Sequence, residues 1–261
     1  MEKTTGAENE LMMAARFFIF RRIFIFIVQF FCLAPCFAQE YPLWFLKPAA
    51  LKCGESEVGM ENISYYPDST AARATRNGYV QYAKHRATAV NGGQAFWSTE
   101  IGMFWMGSNY TEEFDSTAIA SAENILTPLD TLVMEQFVAV LLGSADCELP
   151  DQLHRRVALQ GLSPPSWIEN LPESKKYFYA RGLAPAYYYE TSSWREAEKW
   201  AVRNLAREVF TSLQTVQKLG YEGQEILHEH LSVQLKNLQV AARWRDLNEK
   251  FFYVLIRMPK Y

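Results

Sequence analysis

The chain has 261 residues, a hydrophobic fraction of 49% and a net charge of −3, which is ordinary for a globular protein of one or two domains. No basic excess points to nucleic acid, so none is expected as a partner. Aromatic residues reach 15%, which is high.

Residues 1–38 are expected to be a signal peptide. Arg21 and Arg22 form a positive n-region, Ile23–Leu33 an apolar core, and Cys36-Phe37-Ala38 a small-x-small cleavage site that leaves Gln39 first. A transmembrane helix competes with this reading. The apolar run after the arginines is about 11 residues and contains Gln29, short of the ~20 that a span needs. Leu33-Ala34-Pro35-Cys36 loosely resembles a lipobox, with Pro35 where a small residue is wanted. A lipid on Cys36, and with it outer-membrane association, is the alternative. Met1, Met12 and Met13 are all candidate starts, because Glu2, Glu8 and Glu10 precede the n-region.

The rest divides into a first domain over 41–148, a linker over 149–163 and a second domain over 164–261. In the first domain Val58–Ile63 predicts a strand. Asp68 or Ser69 then caps a helix to about Val90, with Ala71, Ala74, Gly78 and Tyr82 as its inward stripe. Gln94–Asp115 is aromatic and ambiguous; Ile125–Leu126 and Glu135–Leu142 read as strands joined around Asp130. The linker is polar, with Pro150, Pro164 and Pro165.

The second domain is the more legible. Tyr177–Arg181 predicts a strand ended by Gly182. Ser193 and Glu196 fit a capping box. Ala197, Ala201, Leu205, Val209 and Leu213 then recur at helical spacing until Gly220. Gly223–Gln234 is expected to be another helix, and Val240–Arg245 and Phe251–Met258 a closing hairpin.

The two domains echo each other at an offset of 123: Pro42 and Trp44 match Pro165 and Trp167, Gly59 matches Gly182, Tyr65-Tyr66 match Tyr188-Tyr189, and Ala74 matches Ala197. The matches fall on residues with structural roles, so two tandem copies of one domain are expected. The fold class is therefore α+β: in each copy, a long helix and a shorter one on a small, mostly antiparallel sheet.

The Pro-x-Trp start, an aromatic strand ending in glycine, a helix with small residues four apart and the RW-x-D-x-x-x-x-FFYVL hairpin together resemble the LPP-twenty family of bacterial envelope lipoproteins. The likeness to the N-terminal domain of flagellar assembly protein T is looser. The resemblance implies an α+β fold, export to the envelope and no established enzymatic activity. Its motifs speak for fold more than for function.

Motifs of chemistry are sparse. Gly-x-Ser-x-Gly, a Walker A loop and Cys-x-x-Cys are absent, and no metal site or cofactor is expected. His228-x-His230 is the one close histidine pair, and it shares a face only on a strand. His85 and His154 stand alone in the sequence. The best candidates for a partner are aromatic: Tyr65-Tyr66, Tyr187-Tyr188-Tyr189, and Phe96-Trp97 with Phe104-Trp105. The competing reading is that these rings pack the two domains together. Cys53 and Cys147 survive leader cleavage and are the candidate disulfide, since the two ends of a compact domain often lie close; two free buried thiols are the alternative. The expected function is a non-catalytic envelope protein with a structural or assembly role, acting on envelope protein partners at the periplasm or the periplasmic face of the outer membrane. A small-ligand or glycan-binding module is the runner-up, and an envelope hydrolase comes third.

Overall fold

The computed structural model describes residues 39–99, 102–211, 218–221, 224–228 and 230–260; the expected leader and lipobox lie outside them, as does Leu213. After β1 (Glu40–Pro42) and a short helix α1 (Leu43–Leu46) come β2 (Ser56–Asn62) and the long helix α2 (Pro67–Arg86). Four strands follow: β3 (Ala87–Gly92), β4 (Gln94–Thr99), β5 (Gly102–Ser108) and β6 (Thr111–Phe114). Helix α3 (Ala118–Ile125), β7 (Thr127–Val133) and β8 (Phe137–Gly143) close this half. A connection carries α4 (Asp151–His154) and β9 (Arg156–Ala158). The second half holds β10 (Tyr177–Pro185), the long helix α5 (Glu190–Thr211), β11 (Lys218–Tyr221), β12 (Gln224–His228), β13 (Leu231–Lys236), β14 (Gln239–Asp246) and β15 (Phe251–Pro259). The fold is α+β, and every strand pairing among the described residues is antiparallel.

The halves share a topology. In the first, the sheet order is β2-β8-β7 with α2 packed on β2 and β8; in the second it is β10-β15-β14 with α5 packed on β10 and β15. Each helix is seated by the same device. A Cβ on Gly59 would stand 1.9 Å from the Ala74 carbonyl oxygen, and one on Gly182 would stand 1.8 Å from that of Ala197. Only glycine lets the helix backbone approach so closely. Gly182 therefore does not end its strand, as the sequence suggested. It lies within β10, which runs on to Pro185.

A ribbon joins the halves. β3 and β4 pair with β13 and β12 in one unbroken register, from Ala87 opposite Lys236 to Ser98 opposite Glu225. β6 and β5 pair on the far side of the same strands. The connection is fastened too, because β9 pairs with β1. Gln39–Tyr261 accordingly form one compact unit. Its main core mixes Trp44, Phe45 and Val58 with Trp194, Leu205 and Val254. A smaller core lies among Ala74, Tyr82, Ala122, Leu126 and Leu142.

Several local expectations are corrected. Residues 224–228 and 231–236 are strands, not a second helix of the second half. Leu231, Val233 and Leu235 are buried while Ser232, Gln234 and Lys236 are exposed, which is the period of a strand. α5 begins at Glu190, so Ser193 lies inside it, and its hydroxyl accepts from the Tyr187 N–H at 2.8 Å. α2 stops at Arg86 because the chain turns directly into β3. Ile125 ends a helix, and Asp130 lies within β7 and not in the turn that follows it. Glu190 at the start of α5 accepts from the Tyr41 hydroxyl at 2.5 Å, the Trp194 indole at 3.0 Å and Arg245 at 3.1 Å. A carboxylate there also suits the helix dipole.

Candidate functional site

A cleft of about 550 Å³ runs between the two long helices. Gln81, Lys84 and His85 line it from α2, and Arg195, Glu198 and Lys199 from α5. At its base lies a buried cluster of four charged side chains, two from each half. His85 Nδ1 is 2.6 Å from Glu57 Oε2, and His85 Nε2 is 3.2 Å from Glu198 Oε1. Gln81 donates to the same Glu198 oxygen at 2.6 Å. Arg243 lies 3.6 Å from the other Glu198 oxygen, donates to the Phe45 carbonyl at 3.1 Å and sits over the Phe45 ring. Two carboxylates thus face two cations in a site largely shielded from water.

The electrostatics follow from that geometry. Burial alone would push the His85 imidazolium toward neutrality, but the charges and hydrogen bonds of Glu57 and Glu198 outweigh it and raise the group to about 10. Burial acts to raise Glu198, yet His85 and Arg243 hold it below its ordinary range. Burial lowers Arg243, and Glu198 and Glu57 oppose that.

A histidine so held carries protons on both ring nitrogens at neutral pH, and both are engaged. It has no lone pair with which to act as a general base. The cleft walls pair their charges in the same way: Arg195 with Glu61 at 3.6 Å, Lys199 with Glu196 at 3.2 Å, and Arg203 with Glu112 at 3.1 Å. The arrangement is suited to clamping two halves together. Among the described residues no group of three or more histidine, cysteine or acidic side chains is placed to hold a metal.

The tyrosines are arranged differently. Tyr65-Tyr66 lie in the loop between β2 and α2, and Tyr187-Tyr188-Tyr189 in the equivalent loop between β10 and α5. The structure brings the two loops to the same end of the molecule. Thr191, just after the second loop, donates to Asn62, just before the first, at 2.5 Å, and Arg195 donates to the Met60 carbonyl. All five rings are exposed, Tyr65 at 93% and Tyr188 at 85%, so they do not pack the halves together. Tyr65 stacks edge-on with Tyr66, and Tyr188 with Tyr189. The backbone beneath is fixed. Ser69 and Thr70 donate to the Tyr66 carbonyl, Arg73 donates to Ser64, Ser193 receives the Tyr187 N–H, and the Ala186 N–H reaches the Lys250 carbonyl.

The third aromatic group lies elsewhere, on β4 and β5, where Trp97, Phe104 and Trp105 are also exposed. Cys53 and Cys147 form a disulfide with Cα atoms 4.8 Å apart. His154 is not alone: its Nδ1 is 2.9 Å from Asp130, which also accepts from the Trp44 indole at 2.8 Å. Sequence reasoning missed the Glu57–His85–Glu198–Arg243 cluster. One signal was present, since His85 continues the inward stripe of Ala74, Gly78 and Tyr82. No family model, curated protein or solved structure matches this chain.

Proposed function

We propose that this chain is an exported, non-catalytic protein of the bacterial cell envelope that acts in assembly by holding a protein partner on its paired tyrosine loops. The observation that carries the reading is the junction of those loops, Thr191 to Asn62, which gathers five exposed rings on fixed backbone. Rigid, exposed tyrosines give large contact area at low entropic cost, as protein interfaces do. A small ligand or glycan is less well served, because such ligands are bound by enclosure and these rings stand in open solvent.

Export is supported by the leader pattern of residues 17–38 and by a disulfide, which persists in an oxidising compartment. The resemblance to the LPP-twenty family points the same way. Duplication of one ancestral unit accounts for the shared sheet order and for the glycine–alanine contacts that recur 123 residues apart. A fully engaged His85 argues against hydrolysis at the cleft.

The test is photo-crosslinking in cells with a benzophenone amino acid at Tyr65 or Tyr188, and at exposed Glu173 as control. One defined partner should crosslink from both tyrosine positions and not from the control. The Tyr65→Ala/Tyr188→Ala variant should weaken its binding by about a hundredfold. Absence of a common adduct from the two loops would sink the reading.

A further inference from the structure

Outside the tyrosine loops one surface stands out. β5 is an edge strand of the sheet β11-β12-β4-β5, and its residues Met103, Phe104, Trp105 and Met106 are all exposed, Met103 at 60% and Trp105 at 61%. Consecutive residues of a strand point to opposite faces, so this strand is apolar on both. The register with β4 makes the pattern two-sided. Trp97 and Phe104 are cross-strand neighbours with ring centroids 6.1 Å apart, and Phe96 opposes Trp105 on the other face. From Ala87 to Thr111 the only charged residue is Glu100.

We infer that the β4–β5 arm inserts into the interfacial region of a lipid bilayer. A flat protein surface covers one face of a ribbon and leaves the second tryptophan–phenylalanine pair in water. A bilayer meets both faces at once. Tryptophan favours the level of the headgroups, where the indole finds apolar contact and a hydrogen bond together. β4 and β5 themselves carry no charged residue, which lowers the main cost of entry. Insertion stops at the interface. β4 and β5 are six and seven residues long, below the ~9–11 that a crossing strand needs. Among the described residues β5 is also an edge strand, and the backbone of an edge is not tolerated in hydrocarbon. The arm offers no cations, so uncharged and anionic lipids serve alike.

The test uses the full chain, whose seven tryptophans all lie beyond residue 38, so a leader in the membrane is silent in tryptophan emission. Phosphatidylcholine vesicles, with and without an equal part of phosphatidylglycerol, carry lipids brominated either near the headgroup or near the chain end. Headgroup-level bromine should quench the emission more strongly than chain-end bromine, and equally with both lipid mixtures. The quenched component should vanish in Trp97→Ser/Trp105→Ser. It should fall roughly tenfold or more in Met103→Glu/Met106→Glu, which keeps every tryptophan. Unquenched emission, or quenching that survives either variant, would overturn the inference. So would a doubling of mass in solution that the variants abolish, which would put a second copy of the chain on the arm.

Discussion

Gly182 lies directly beneath the carbonyl oxygen of Ala197, so close that a methyl group on the glycine would meet that oxygen at 1.8 Å and the Ala201 nitrogen at 2.3 Å. Backbone atoms cannot step aside as a flexible side chain does. Gly182→Ala should therefore destabilise the protein by about 3 kcal/mol or more, the upper end for overpacking. Gly59→Ala should do the same through Ala74 and Gly78. Urea unfolding measures both, and a midpoint that does not move would show that the helices are seated less tightly.

Ala201 faces the same contact and is fully buried. Ala201→Glu puts a carboxylate there without a partner or water. The expected result is loss of the cooperative thermal transition, since an unpaired buried charge costs several kcal/mol. A melting curve like that of the wild type would mean that this face is solvated.

The buried cluster predicts a pH optimum. His85 has its folded value raised from 6.5 to about 10. Its contribution is complete below about 6.5 and is lost as pH rises toward 10. Glu198 is lowered in the fold, so its contribution is present above the ordinary carboxylate range and is lost as pH falls. Stability should be greatest between these limits. His85→Gln should flatten the alkaline limb and lower stability by about 3–5 kcal/mol near neutrality, because two buried carboxylates lose their shared cation. Melting temperatures across the pH range test this, and an alkaline limb that persists in the variant would assign it to another group.

The disulfide closes a loop with a sequence separation of 94, for which the chain-entropy model gives roughly 4–5 kcal/mol. Reduction should lower the melting temperature, and Cys53→Ser/Cys147→Ser should match the reduced wild type. In the unreduced protein, alkylation should spare Cys53 and Cys147. Their labelling without reductant would show that the bridge does not form.

Much of this architecture is written locally. The glycine and alanine positions carry the helix–sheet contacts, and Phe251–Met258 reads as a central strand because both its faces are apolar. Other parts are not local. Residues 223–234 are expected to be a helix, whereas the alternation of Leu231, Val233 and Leu235 belongs to a strand. Ser193 has the pattern of a cap, but Glu190 starts the helix earlier, drawn by Tyr41 and Arg245 from distant segments. The charged cluster is harder still. Glu198 and Arg243 meet the Glu57–His85 pair only because the two halves close on each other, and no spacing along the chain records that meeting.

The ribbon has a consequence for biosynthesis. β3 and β4 leave the ribosome long before β12 and β13, their partners in one continuous register. Until residue 236 emerges, the strands from Ala87 to Ser98 lack that neighbour, with Phe96 and Trp97 among them. Pairings so distant form late and slowly, and an uncovered strand edge meanwhile invites the wrong partner. The nascent first half is therefore the stage at which this protein most needs a chaperone. For the same reason, a chain nicked between residues 149 and 163 should stay together, its two pieces held by the ribbon and the shared core.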